Sequence, residues 1–168
     1  PKHPQTVFLE TQLAYQRKDY NAARELSQQL LKLSPNTPGT LELAGSIESQ
    51  LRCYLQAESY LSQALQQAPQ LPLARCLLIA SYLRSGQPAK ALTTLQPFLN
   101  GMDKDATMLA LAGQVYLQNG DAKRAEEYFT KASKLDPSDP KKRTSMALAQ
   151  MAQGEMSTAL GELEEISA

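Results

Sequence analysis

One histidine, no tryptophan, two cysteines and no net charge in 168 residues each remove a class of function. A catalytic metal centre draws several His, Cys or carboxylate ligands to one point. The single histidine, His3, stands in the N-terminal tail. The same shortage leaves no base beside a serine or cysteine nucleophile, which a hydrolytic triad requires. No phosphate-binding loop and no GxGxxG run is present. The expectation is no catalytic residue, no metal and no cofactor.

Seventeen basic residues balance seventeen acidic ones, and Lys141, Lys142 and Arg143 form the one close basic cluster. A surface that tracks phosphates needs several such side chains in line, so no nucleic-acid partner is expected. No apolar run approaches the roughly 18 to 20 residues that cross a bilayer. Pro1, Lys2, His3 and Pro4 do not open a secretory signal. The chain reads as soluble, and as a piece of a longer protein whose targeting signal or membrane anchor would lie outside it. The carboxylates Glu126, Glu127, Glu162, Glu164 and Glu165 read as a solvated outer helix face.

What is abundant is repetition. Ala23, Ala57, Ala91, Ala125 and Ala159 recur every 34 residues without an insertion. A fixed period in this range marks a repeat array, in which each unit buries its apolar face against its neighbours. With the alanine as position 20, the repeats run 4–37, 38–71, 72–105, 106–139 and 140–168, one array over 1–168. The clearest copy has Leu109, Ala112, Gly113, Tyr116, Gly120, Ala125, Phe129, Ala132 and Pro137 at positions 4, 7, 8, 11, 15, 20, 24, 27 and 32. The second copy has Leu41, Ala44, Gly45, Ala57, Leu61, Ala64 and Pro69 at matching places, and the third has Leu78, Tyr82, Gly86, Ala91 and Leu95. Val7 and Pro35 mark the first; Met146, Ala147, Gly154, Ala159 and Leu163 mark the last.

Local signals predict ten helices. Asp19 and Asp121 are placed to accept from orphan backbone N–H groups, Pro88 suits a first helical position, and Thr37–Pro38 and Ser138–Pro140 open first helices by the same logic. Gly86, Gly120 and Gly154 fall in the turn inside the helix pair, where a left-handed residue ends the first helix. Cys53 and Cys76 fall at positions 16 and 5 of adjacent, parallel first helices. That offset is about 16 Å at 1.5 Å per residue, against a Cα limit of about 7 Å for a disulfide. Two thiols are expected.

These positions resemble the tetratricopeptide (TPR) pattern, in which small residues at 8 and 20 let two antiparallel helices touch. The resemblance implies an all-α, right-handed TPR superhelix, an α-solenoid of about five helix-turn-helix repeats. The chain departs from the pattern at Leu109 (for tryptophan), at Glu48 (for tyrosine), at Ile79 on position 8, at Arg75 on position 4 and at Asp103 (for proline). First helices would line a concave groove, and in the family positions 2, 5, 9, 12 and 13 meet the ligand. Carried onto this chain, those places include Gln5, Phe8, Gln12, Tyr15, Glu42, Ser46, Ser49, Cys76, Ala80, Leu83, Arg84, Gln114, Leu117 and Gln118. The lysine and asparagine that grip a terminal carboxylate in one TPR subclass are absent, since Phe8, Gln12, Glu42 and Ser46 stand there. The groove inventory suits an extended or helical protein segment. An uncapped terminal repeat leaves an apolar helix face open, which permits self-association through the array ends.

The run from Leu77 through Leu92, with Tyr82, Gly86, Pro88 and Ala91 in it, is similar to the bacterial PEP-CTERM system TPR-repeat lipoprotein, as are Leu95 to Leu99 and Leu111 to Pro137. That resemblance implies a non-enzymatic scaffold, lipid-anchored on the periplasmic side of the bacterial envelope, in exopolysaccharide assembly or exosortase-linked surface-protein sorting. The alternatives are a cytoplasmic TPR adaptor, or a regulatory segment of an enzyme whose catalytic domain lies outside the chain. An RNA-binding helical repeat would need a basic groove, and this one is nearly neutral.

Overall fold

The computed structural model describes residues 3–140 together with Thr144, Leu148 and Ala149. Among these residues it is all-helical, and it divides into two units, Pro1–Gly86 and Gln87–Ala168. The first unit holds α1 (Pro4–Gln16), α2 (Tyr20–Leu33), α3 (Pro38–Gln50), α4 (Tyr54–Gln67) and α5 (Pro72–Arg84). The second holds α6 (Pro88–Leu95), a 3-10 turn (Gln96–Phe98), α7 (Ala106–Gln118) and α8 (Ala122–Leu135). The division falls inside the third 34-residue period. Most of the fifth period, with Met146, Ala147, Gly154, Ala159, Leu163 and the cluster Lys141 to Arg143, lies outside the described residues.

Helix starts follow the local chemistry. Asp19 accepts from the Ala22 N–H at 3.1 Å and Asp121 from the Arg124 N–H at 3.0 Å. Asp105 accepts from both Thr107 and Met108. Proline occupies the first turn of α1, α3, α5 and α6, where no amide hydrogen bond is lost. Thr37 precedes Pro38 but makes no side-chain cap, so the proline and the extended backbone at Thr37 set that start.

Within each helix pair the turn repeats one conformation. Lys18 (φ 62°), Arg52 (φ 61°), Gly86 (φ 74°) and Gly120 (φ 84°) all stand at position 15 in the left-handed region. The glycines were legible as turn residues; Lys18 and Arg52 adopt the same backbone at a steric cost that glycine avoids.

In the second and fourth repeats the glycine at position 8 is required by the large residue at position 24, whereas the third repeat buries a large residue at both, Ile79 and Leu95. A Cβ on Gly113 would lie 2.5 Å from the Phe129 ring, and one on Gly45 would lie 2.5 Å from Leu61 Cγ. In the first period Thr11 and Ser27, both buried, occupy these positions, so a larger residue at 8 accompanies a smaller one at 24. Position 20 is fully buried at Ala23, Ala57, Ala91 and Ala125.

Three departures from the pattern have physical causes. Glu48, buried where tyrosine was expected, receives the Arg24 guanidinium from α2: Nε donates to Oε1 at 3.0 Å and Nη2 to Oε2. Arg75 at position 4 is half-buried and turns its Nη2 back onto the Pro69 carbonyl at 2.6 Å. The helix α6 has 8 residues, against 14 in α2, α4 and α8. Pro97 ends it, because proline has no N–H for the helical ladder and its ring clashes with the preceding turn; the chain continues as a 3-10 turn.

The cysteine placement needs one correction. Cys53 immediately precedes α4, makes no side-chain cap there, and is not on a first helix. Neither cysteine forms a disulfide.

Candidate functional site

In the first unit α3 packs against both α1 and α5, so three first helices lie side by side. Ala23 of α2, Leu43 and Ile47 form a buried cluster, against which Phe8, Ala14, Tyr15 and Leu51 pack. This fixes α1 on α3 and leaves a cavity of about 280 Å³ over their junction. Phe8, Gln12, Tyr15 and Gln16 line it from α1, Gly39, Glu42, Leu43 and Ser46 from α3, and Leu73 from α5.

Five of the residues expected in the groove, Phe8, Gln12, Tyr15, Glu42 and Ser46, therefore meet in one place. A second cavity of about 120 Å³ lies between α3 and α5, with Ser49, Gln50, Tyr54, Leu77, Ala80, Ser81 and Arg84 around it. The two are related by the repeat: Tyr15, Gln16, Leu43 and Ser46 shifted by one period become Ser49, Gln50, Leu77 and Ala80. Gln5 lines a third, mainly apolar cavity of about 260 Å³ with Phe8, Leu30 and Thr40.

Several polar groups of the site are already engaged. The Glu42 carboxylate accepts from the Ala74 N–H at 3.2 Å through Oε2, capping α5, which has no side-chain cap of its own. Ser46 donates to the Glu42 carbonyl at 2.8 Å, and Ser49 donates to the Gly45 carbonyl at 2.9 Å. Gln50 donates to the Tyr15 hydroxyl at 3.4 Å, and the Tyr15 ring meets Tyr20 edge to face. Accepting from Gln50 leaves the Tyr15 hydroxyl its own hydrogen to donate, beside the amides of Gln12 and the exposed Gln16. Such amides complement the backbone of an extended segment, while Phe8, Leu43 and Leu73 offer an apolar bed for one side chain.

The remaining expected residues fare differently. Leu83 is 7% exposed, one helical turn from the buried Ile79, so it belongs to the packed face of α5 and not to an accessible groove. Cys76 is half-buried on α5 and lines neither cavity of the first-helix face. In the second unit Gln114 is exposed and Leu117 half-buried, one turn apart on α7. Sequence reasoning missed Gly39 and Leu73 at position 2 and Gln16 and Gln50 at position 13, all of which the positional rule itself would have supplied. Among the described residues no group of three His, Cys, Asp or Glu could hold a metal ion, and no helix is long and apolar enough to cross a membrane.

In the second unit Tyr116 and Tyr128 stack with centroids 5.4 Å apart and planes 6° from parallel, and Arg124 lies over the Tyr116 ring at 5.5 Å. Burial pushes the Tyr128 phenol above its ordinary pKa; Tyr116, Asp103 and Glu127 add to this, and Arg124 opposes it.

Paired antiparallel helices with a small residue at each crossing define a helical-repeat protein. Two family models described as tetratricopeptide repeat match the chain, over residues 106–139 and 54–115. The chain is a tetratricopeptide-repeat protein. It is 27% identical over 145 residues to the cellulose synthase operon protein C of Pseudomonas fluorescens (strain SBW25), a match over 82% of this chain and 11% of that protein. The chain thus spans only a small part of that relative's length, and the relative named is not a PEP-CTERM lipoprotein. Among solved structures, MamA from Desulfovibrio magneticus RS-1 superposes with a TM-score of 0.87 at 20% identity, over 98% of this chain and 93% of that one. A thermophilic TPR protein from Thermus thermophilus does so with a TM-score of 0.75 at 20% identity, over 98% and 90%. At this identity the likeness is one of fold.

Proposed function

We propose that this chain is a non-enzymatic scaffold segment that holds an extended or helical piece of a partner protein against α1, α3 and α5. The observation that carries the reading is the cavity over the α1–α3 junction, where five expected groove residues converge beside open amides and an apolar bed. The setting we assign is exopolysaccharide assembly in the bacterial envelope, with the chain as one stretch of a longer array anchored on the periplasmic side. Its support is the similarity to a cellulose synthase operon protein and the resemblance of Leu77 to Leu92 to an envelope lipoprotein of exopolysaccharide loci.

The test is capture from a bacterial envelope extract by the chain and by a Gln12→Lys, Gln16→Lys variant, both changes lying on the cavity wall and outside the buried cluster. Recovery of exopolysaccharide synthesis or export components by the parent and their loss with the variant is the expected result. Equal recovery by both would remove the groove from the account.

A further inference from the structure

We propose that the partner segment runs along the seam between α3 and α5 in an extended conformation, with one basic residue against Glu42 and one acidic residue, about four or five positions away, against Arg84. This rests on the groove reading and adds to it the chemistry and course of the occupant.

The seam joins the two cavities of the first-helix face. Glu42, Ser46 and Ser49 follow one another at helical spacing on α3, and Leu77, Ala80 and Arg84 do so on α5. Glu42 and Ser46 line the first cavity; Ser49, Leu77, Ala80 and Arg84 line the second. Two contacts pin the helices together along this line. The Ala74 N–H donates to Glu42 Oε2 at 3.2 Å, and the hydroxyls of Ser49 and Ser81 lie 3.4 Å apart.

Each cavity holds one charged side chain, Glu42 in the first and Arg84 in the second. Neither charge recurs in the neighbouring repeats, since position 5 carries Phe8 and Cys76 there and position 13 carries Gln16 and Gln50. Both charges suit the dipole of α5, Glu42 at its N-terminus and Arg84 in its last turn. That role uses only part of their bonding capacity. Glu42 gives Oε2 to the cap and keeps Oε1, and among the described residues the exposed Arg84 guanidinium meets no carboxylate. A carboxylate and a guanidinium held at the two ends of one seam complement a segment of the opposite charges, laid down in one direction.

The spacing follows from α5. Ala74, which the Glu42 carboxylate touches, and Arg84 stand ten residues apart on that helix, a distance of about 15 Å at 1.5 Å per residue. An extended chain at about 3.3 Å per residue covers this in roughly four or five residues, whereas a helix needs about ten. Between the charges lie apolar surface from Leu77 and Ala80 and the half-buried Ser49 hydroxyl, whose hydrogen goes to the Gly45 carbonyl. Its oxygen accepts from backbone N–H groups, which an extended segment presents and a helix keeps for itself.

A library of random peptides of about twelve residues, displayed on phage and selected on the chain and its variants, spans the seam in either conformation. Peptides selected by the parent should carry a Lys or Arg and an Asp or Glu about four or five residues apart, in one order. Arg84→Glu, an exposed change, should replace the acidic preference by a basic one. Glu42→Gln, which keeps an oxygen for the Ala74 N–H, should remove the basic preference alone. A selected peptide should lose about two- to fivefold in affinity on Glu42→Gln or Arg84→Gln, and less as salt is added. Binders with no such pair, or whose pair survives these changes, overturn the proposal, as does a pair spaced about ten residues apart. Binders without the pair that are lost on Gln12→Lys with Gln16→Lys overturn it and leave the groove reading standing. No binders, or binders indifferent to every one of these substitutions, overturn both.

Discussion

Arg24 on α2 and Glu48 on α3 form a two-pronged ion pair, with the same guanidinium donating from Nη2 to Cys53 Sγ at 2.9 Å. The side chain of Glu48 is 7% exposed and that of Arg24 is 33%. The hydrogen bond to Glu48, then that to Cys53, raises the guanidinium above its ordinary pKa. This pair joins consecutive repeats at the position where the family pattern places tyrosine.

Removing one partner strands a buried charge, which costs more than the pair contributes. Arg24→Ala should therefore destabilise by about 1–3 kcal/mol in denaturant unfolding. A double-mutant cycle with Glu48→Ala should give a favourable coupling energy; purely additive losses would contradict the geometry.

The crossing of α7 over α8 depends on the missing Cβ at Gly113. Gly113→Ala should destabilise by about 1–3 kcal/mol, although alanine is the better helix former. Gly45→Ala, facing the branched end of Leu61, should behave in the same direction. Thermal melts of both variants check this, and a gain in stability would mean that the helices do not approach as described. Ala125→Leu tests the same contact from the other helix and should cost about 1–3 kcal/mol by overpacking.

Arg52 adopts φ 61° at the turn position that carries glycine in the third and fourth repeats. Arg52→Gly should raise stability by up to about 1 kcal/mol, because the left-handed backbone is costly for any residue with a Cβ. Lys18→Gly should act likewise, and a drop in melting temperature for both would contradict the turn assignment.

Tyr128 gives a pH signature. Its phenol is held above the ordinary value of 10.0 chiefly by burial, so the folded chain keeps a proton that the unfolded chain releases. Stability tied to this group is fully present below about pH 10 and is lost as pH rises through the folded value. The stability of Tyr128→Phe relative to the parent should therefore improve as pH rises above about 10. A pH-independent difference in denaturant unfolding would show that Tyr128 is not so placed.

The period and the helix starts were legible because they depend on residues close in sequence: Asp19 and Asp121 at caps, Pro38 and Pro88 at first turns. Small residues at position 8, Gly45 and Gly113, were legible as part of the repeat pattern, while the cause at Gly113, the approach of the Phe129 ring, appears only in three dimensions. Glu48 was legible only as a departure, since its partner Arg24 lies a whole helix away and no local rule links them. The short α6 was written in Pro97, a breaker that the family pattern of the surrounding run obscured. Phe8, Gln12, Tyr15, Glu42 and Ser46 were named by repeat position alone, and the structure brings them to the wall of one cavity. Leu83 was misplaced because an apolar side chain one turn from Ile79 joins the buried face, a choice set by packing and not by register.

The central claim is that a partner segment lies against the first helices. A photo-crosslinking residue at Gln12, within the cavity, compared with one at Leu55, 75% exposed on α4, tests it directly in envelope extract. The account predicts a discrete crosslinked partner from position 12 and none from position 55. Crosslinking from position 55 alone would contradict it and move the working surface to the second helices.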